Sequence, residues 1–364
     1  MRWSGGHVSD GDRERRRVVI VAPNWLGDIV MALPAVTAIR RHFGTDAVAV
    51  AVAQEMAPVF HGIPALDRVV PLQGGRDGIG PDADRLADGQ FDVAILFPNS
   101  FRSAWVTRRA GIAQRWGYRG QLRGWLLTRA VRRPSRRERR HQADDYRALV
   151  RGLDIPVDVE AASLVATQAQ TARAAALLER HRVTADTPRV VVAPGATNGH
   201  AKRWLPERFA ELARRVATEL DRTVLLVGSP GDRASGRAVE SALTEFDFDF
   251  GFGSAPSNDG RIVNLIGHTD LSELMGVLSG CEVCVSNDTG AMHLASALGV
   301  PVVALFGPSD ERATAPLGRH EILTRAVRCR PCLLRDCPID HRCMRGIPTA
   351  DVFEAVSRLA GWPS

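Results

Sequence analysis

Asp288-Thr289-Gly290-Ala291-Met292-His293 lies between an apolar strand pattern, Cys281 to Ser286, and an apolar helix pattern, Ala291 to Leu298. A strand that breaks into Asn-Asp-Thr-Gly and restarts as a helix presents unpaired backbone N–H groups at the positive end of the helix dipole, a setting for a phosphate or diphosphate. The Asp288 carboxylate, the Thr289 hydroxyl and, one turn on, the His293 ring are within reach of whatever that phosphate carries. The same residues also suit a plainer role, because Asp and Thr are common N-caps. A second glycine turn, Pro194-Gly195-Ala196-Thr197-Asn198, runs on to Ala201-Lys202-Arg203-Trp204-Leu205-Pro206. Thr197 offers a hydroxyl, and Lys202, in a chain with hardly any lysine, is a compact point charge able to neutralise a departing diphosphate. Arg203 and Trp204 read as packing and pairing residues. A third motif, Asn24-Trp25-Leu26-Gly27-Asp28, sets a carboxylate at a helix start. There it either accepts a proton from a substrate hydroxyl or offsets the helix dipole. With one glycine where Gly-x-Gly-x-x-Gly has three, the motif is not a nicotinamide dinucleotide fingerprint.

These motifs need elements to hold them. From Arg17 onward, short β-branched runs alternate with helical stretches, from Val18–Ala22 and a helix through Phe43 as far as Val93–Phe97. A second series with the same grammar runs from Val190–Ala193 to Val302–Phe306. Such alternation predicts parallel sheets covered by helices on both faces, here two Rossmann-like domains. In open sheets of this kind ligands bind outside the carboxyl ends of the strands, so two such domains facing each other predict a central cleft between them. The expected division is a disordered tail over 1–16, an acceptor-side domain over 17–170, a linker over 171–188, a second domain over 189–348 and a closing helix over 349–364.

Apolar residues make up 45% of the 364 and charged residues 24%, the composition of a soluble globular protein. No apolar run approaches the roughly 20 residues that span a bilayer. The amino-terminal residues are polar and arginine-rich rather than a secretory signal, which predicts a cytoplasmic protein. The net charge of +6 is uneven: Phe101 to Arg140 carries 13 arginines and one acid, Glu138, so that segment is +12 and the remainder −6. It reads either as a surface for a polyanion or as a genome's use of arginine in place of lysine. A nucleic-acid partner is not expected, because the basic tract shows no aromatic platforms and such a function leaves the other motifs without a job.

Four of the six cysteines form Cys329-x2-Cys332-x4-Cys337-x5-Cys343. Thiols in a reducing compartment cluster more often for a metal than for disulfides, so a structural zinc or iron–sulfur site is expected there, with His341 as a substitute ligand and free thiols as the alternative. Cys281 and Cys284, on an apolar strand, read as core residues.

The phrases Trp-Leu-Gly-Asp, Pro-Gly-Ala with Ala-Lys-Arg-Trp, and Asn-Asp-Thr-Gly-x-Met-His, in this order, resemble the ADP-heptose:lipopolysaccharide heptosyltransferases of glycosyltransferase family 9, and closest the heptosyltransferase II branch. The resemblance runs from Val18 to Leu359. It implies a GT-B fold and an inverting transfer of L-glycero-D-manno-heptose from ADP-heptose to the inner core of lipopolysaccharide, with no cofactor or metal in catalysis. A transferase of the same fold using another nucleotide sugar or acceptor is the alternative. Position by position, it makes Asp28 the base, Lys202 the diphosphate lysine and Asp288, Thr289, Gly290 and His293 the donor loop. Thr197 becomes a further phosphate contact and Asp232 the ribose-binding acid. A lipid-linked, phosphorylated acceptor implies peripheral contact with the inner membrane leaflet. Trp125-Leu126-Leu127, set among arginines, then rests among lipid headgroups or forms a buried face.

Overall fold

A computed structural model describes residues 16–362 except 45–46, 64–65, 67, 136–140, 159–160, 162, 198 and 250–260. Residues 1–15 of the expected tail, the end of the arginine run and Asn198 of the second glycine turn therefore lie outside the described residues. The chain divides into two compact units, Met1–Ala162 and Ser163–Ser364.

The first unit carries β1 (Val18–Val21), α1 (Leu26–Phe43), β2 (Val48–Ala53), α2 (Ala57–His61), β3 (Val69–Leu72) and α3 (Ile79–Asp88). It continues with β4 (Val93–Leu96), α4 (Phe101–Arg109), β5 (Gln114–Tyr118), β6 (Arg129–Val131) and α5 (Gln142–Arg151). Its strands lie in the order β3-β2-β1-β4-β5-β6. All pairs are parallel, with Ile20 opposite Val50 on one side and Ile95 on the other. The central strands VVIV and VAIL are buried at every position, the mark of a sheet covered on both faces rather than one.

The second unit holds α6 (Gln168–Arg180), β7 (Arg189–Ala193), α7 (Pro206–Glu219), β8 (Thr223–Leu226), α8 (Arg233–Asp249), β9 (Ile262–Asn264) and α9 (Leu271–Ser279). Then follow β10 (Val283–Asn287), α10 (Gly290–Ala297), β11 (Val302–Phe306), α11 (Glu311–Thr314), β12 (His320–Thr324), α12 (Arg342–Arg345) and α13 (Thr349–Ala360). The strand order β12-β11-β10-β7-β8-β9 repeats the topology of the first unit, read from the other edge. In each sheet the winding reverses beside the first strand, between β1 and β4 and between β7 and β10. At those two points the loops on either side of the gap leave in opposite directions and open a crevice. Among the described residues no helix is long and apolar enough to cross a membrane.

Two expectations about organisation change. The helix placed at the end of the first domain and in the linker is α6, and it packs lengthwise on α9 in the second unit through buried Gln170, Ala174, Leu177 and Leu178. The arginine-rich segment, for which no element was expected, builds α4, β5 and β6. Its arginines hid the period because several of them are spent on backbone carbonyls. Arg123 is fully buried, with its guanidinium donating to Pro98 O at 2.6 Å, Ser100 O at 3.1 Å and Tyr118 O at 3.1 Å. Arg115 donates to Leu126 O at 2.7 Å and Ala113 O at 3.1 Å. The +12 of this run is thus only partly a surface charge.

Where α6 meets α9, Gly276 has no room for a side chain: a Cβ there would lie 2.6 Å from Ala174 Cβ and overlap the Gln170 carbonyl. Alanine in a helix interior gains about 1 kcal/mol over glycine, whereas overpacking of a rigid contact costs about 1–3 kcal/mol. Gly276→Ala should therefore lower the melting temperature, although the same change at an open helical site would raise it. A thermal scan of the purified variant decides this, and an increase would contradict the close helix contact.

Candidate functional site

In the first unit, β1 ends in Ala22-Pro23-Asn24-Trp25 and α1 begins at Leu26, so Asp28 is the third residue of the helix, at the switch point of the sheet. No side chain caps the α1 start. The Asp28 carboxylate is half-buried and accepts a hydrogen bond from Gln142 Nε2 at the start of α5. Tyr146, one turn further along α5, also hydrogen-bonds Gln142, and its phenol is pushed far above the usual range by burial and then by the Asp28 charge. Phe97 packs on the Tyr146 ring with centroids 5.4 Å apart. Burial pushes the Asp28 carboxyl up to about 6. A carboxylate of that basicity, with one oxygen held by an amide, is suited to take a proton near neutrality.

In the second unit, the expected donor loops leave adjacent strands, β7 and β10, and one side chain ties them together. Asn287, fully buried, donates from Nδ2 to Pro194 O at 2.9 Å and Gly195 O at 3.2 Å, and its Oδ1 accepts from Trp204 N at 3.1 Å. Lys202 Nζ reaches Asp288 Oδ2 at 2.6 Å, and Thr314 Oγ1 lies 3.4 Å from the other carboxylate oxygen. Lys202 is the only lysine of the 364 residues. Its side chain is 25% exposed and that of Asp288 6%, so the pair sits at the rim of the structure with its anion side inward.

Neither expected cap is used. Asp288 is engaged by Lys202, Thr289 occupies the N-cap position of α10 without a side-chain capping bond, and Gly290 is the first helical residue. Ser286 Oγ donates to Asn287 O at 2.7 Å, which leaves the Thr289 hydroxyl to donate to Ser286 Oγ at 3.1 Å. The start of α10 therefore carries no side-chain cap, and His293 is buried one turn into the same helix. Thr197 is exposed on the loop that Asn287 holds. Asp232 is buried after β8, accepts from Ser229 N at 3.0 Å and Ser229 Oγ at 2.7 Å, and lies against Gly195, where a Cβ would come 2.7 Å from Asp232 Oδ2. The structure thus gathers Lys202, Asp288, Thr289, Gly290, Thr197 and Asp232 around the carboxyl ends of β7, β8 and β10, and sets Asp28 in the other unit.

The cysteine segment also has a supporting part in the second unit. It braces the loop before Lys202: Ala201 N donates to Arg335 O at 2.9 Å, and His341 Nε2 donates to Ala201 O at 2.6 Å. Gly199, at φ +118°, passes so close to Arg335 that a Cβ would lie 2.6 Å from its Cα. Burial, and then the charges of Cys329, Cys337 and Cys332, raise the Cys343 thiol, so the four sulfurs share one neighbourhood. Yet among the described residues no three His, Cys, Asp or Glu side chains gather as a metal-ligand set. Cys343 is buried while Cys329 and Cys337 are exposed, Cys337 Sγ accepts from His341 N at 3.3 Å, and the His341 ring nitrogen is committed to Ala201. None of the four cysteines is in a disulfide, and their segment acts as a strut against Ala201.

Gln142, Tyr146 and Asn287 were not foreseen as site residues. Gln142 and Tyr146 share an i, i+4 helix face, which is a legible signal, but nothing local indicates that the face meets a residue 114 positions away.

The raised Asp28 carboxyl has a thermodynamic consequence. A carboxyl that holds its proton more tightly when folded stabilises the fold fully below the unfolded value of 3.8, and loses that contribution as pH climbs toward 6. At pH 8 the buried charge is a net cost of at most about 3 kcal/mol. Asp28→Asn removes the charge while its Oδ1 can still accept from Gln142, so the variant should melt higher than the parent at pH 8 and no higher at pH 3.5. Equal melting temperatures at pH 8 would show that Asp28 carries no burial cost.

With this geometry in hand, comparison with known proteins gives one consistent answer. Residues 83–342 match glycosyltransferase family 9 (heptosyltransferase). The lipooligosaccharide heptosyltransferase 2 of Haemophilus ducreyi is 28% identical over 341 residues, covering 85% of this chain and 89% of that protein. The lipopolysaccharide heptosyltransferase 2 of Escherichia coli is 27% identical over 323 residues, covering 85% and 88%. The structure of the E. coli ADP-heptose lipopolysaccharide heptosyltransferase II superposes with a TM-score of 0.77 at 25% identity, over 94% of this chain and 98% of that one. Its GT-B fold of two parallel-sheet Rossmann-like domains is the fold found here. A family pattern spanning most of the chain, whole-length relatives and a shared fold agree: this chain belongs to glycosyltransferase family 9, the heptosyltransferases.

Proposed function

We propose that the chain transfers L-glycero-D-manno-heptose from ADP-heptose to a hydroxyl of the lipopolysaccharide inner core, with inversion and without a catalytic metal, as a cytoplasmic protein peripheral to the inner leaflet. The observation that carries this reading is the Lys202–Asp288 pair beside an uncapped helix start, with Asn287 locking the two loops that supply it. The names of the relatives, heptosyltransferases acting on lipopolysaccharide or lipooligosaccharide, support the sugar and the acceptor.

The chemistry divides as follows. The diphosphate oxygens of the donor take the free amides of Gly290 and its neighbours, and Lys202 turns from Asp288 toward them. Thr197 and Thr289 add hydroxyl contacts, and His293 and Asp232 address the sugar and ribose. Asp28 accepts the acceptor hydroxyl proton as that oxygen bonds to the anomeric carbon. The bond from that carbon to the diphosphate oxygen breaks with its electron pair, and ADP leaves. Lys202 and the helix amides stabilise the charge that builds there, the role a divalent cation would otherwise fill. Attack from the face opposite ADP inverts the anomeric centre.

The direct test incubates the purified chain with ADP-heptose and a core acceptor lacking the outer heptose, in the presence of a chelator. The product should gain one heptose with anomeric configuration opposite to the donor. Retained configuration, chelator-sensitive turnover, or preference for a UDP- or GDP-sugar would overturn the reading. Asp28→Asn should bind ADP as the parent does but turn over about 10²–10⁴-fold more slowly, and parental kcat/KM should fall about tenfold per pH unit below about pH 6. Lys202→Ala should cost about 10²-fold in rate and also destabilise the fold, because it leaves the buried Asp288 charge unpaired. Adding Asp288→Asn should restore the melting temperature but not the rate. Recovery of both would reduce Lys202 to a structural partner.

A further inference from the structure

The first unit exposes an aromatic cluster at the same sheet end as Asp28. Phe101 and Trp105, one turn apart on α4, stack with centroids 6.2 Å apart and planes at 15°, and Trp125, from the loop after β5, lies 6.4 Å from Phe101. Trp125 is 62% exposed and Leu122, on the same loop, 91%. The leucines beside Trp125 do the opposite: Leu126 and Leu127 are buried, so the triplet divides between core and surface. Scattered exposed apolar residues need no explanation, but several large ones together mark an interaction surface.

The surface is firmly built. The buried Arg123 guanidinium clasps the carbonyls of Pro98, Ser100 and Tyr118, fixing the loop that carries Leu122 and Trp125 to the start of α4. Its surroundings are cationic. The 35 residues from Phe101 to Ser135 contain nine arginines and no carboxylate. Arg108 and Arg109 continue the exposed face of α4, Arg108 lies 5.4 Å over the Trp125 ring, and Arg119 is exposed at the start of the loop. Against the expectation from sequence, the basic tract does carry aromatics. One face of each ring is already covered, Phe101 by Trp105 and Trp125 by Arg108, whereas single-stranded bases stack along a row of open rings.

We propose that Phe101, Trp105, Leu122 and Trp125, with Arg108, Arg109 and Arg119 around them, form the surface by which the chain docks on an anionic lipid bilayer. Tryptophan and leucine enter the headgroup region, where an amphipathic ring gains most, while arginines meet lipid phosphates and anionic headgroups. The proposal deepens the peripheral membrane contact stated above and rests on it. It further places the acceptor-side sheet edge toward the leaflet that would hold a lipid-linked acceptor.

The test is vesicle flotation of the full chain with phosphatidylcholine vesicles and with vesicles containing about one-third phosphatidylglycerol, at low and physiological salt. The parent should float with the anionic vesicles only, less at higher salt. Trp105→Ser combined with Trp125→Ser should partition about tenfold less, with an unchanged circular dichroism spectrum and unchanged transfer to a detergent-free, water-soluble acceptor. Arg108→Gln with Arg109→Gln provides a second variant, expected to lose the preference for anionic lipid. Equal partitioning of parent and both variants would overturn the proposal, as would equal binding of the parent to neutral vesicles. Displacement from the vesicles by single-stranded RNA, with the same sensitivity to the tryptophans, would assign the surface to nucleic acid instead. Flotation needs neither donor nor turnover, so a failed transfer reaction with normal flotation would count against the enzymatic reading alone.

Discussion

The buried amide of Asn287 is the constraint on which the second unit's site depends. At the switch point of a doubly wound sheet, the loops leaving β7 and β10 diverge, and nothing in the strand ladder holds them in register. Asn287 supplies that register with two donated bonds to one loop and an accepted bond from the turn that follows Lys202. Because the amide is fully buried, each of these bonds replaces water that cannot reach it, and removing the side chain would strand three backbone groups. Lys202 thereby stands opposite Asp288 instead of ranging free.

The ion pair has a logic apart from stability. A partly buried lysine without a counter-ion would be expensive, and Asp288 meets that need in the resting protein. A diphosphate carries more charge than one carboxylate and brings the α10 amides to bear on the same oxygens, so it competes for the lysine on favourable terms. On the other unit, Asp28 solves the opposite problem. It is kept away from strong cations and half out of water, which raises its affinity for a proton. One sheet end thus pairs a cation with uncapped helix amides, and the other holds a carboxyl of raised proton affinity.

Much of this was legible in the sequence, for reasons that differ by element. Central strands such as VVIV, VAIL and RVVVA read clearly because burial on both faces demands unbroken apolar runs. The three glycine- and acid-bearing motifs read clearly because each sits where such a strand ends. The segment from α4 to β6 did not, since its arginines are spent on carbonyl groups within the fold and mimic a polar surface run. The domain boundary was misjudged because an Ala- and Leu-rich helix before a proline-ended loop looks alike whether it bridges two bodies or packs on one. Gly276 in α9 was the clue, meaningful only once its neighbour is known. The cysteine spacing suggested a coordination site, and it could not show that the backbone of the same segment steadies Ala201.

The solitary lysine has a practical consequence for chemistry done on this protein. Every other basic side chain of the Lys and Arg class is an arginine, so Lys202 carries the only side-chain primary amine open to amine-directed reagents, such as those of reductive methylation, in these 364 residues. A single side-chain amine beside the start of α10 makes covalent labelling a direct reporter on access to that loop.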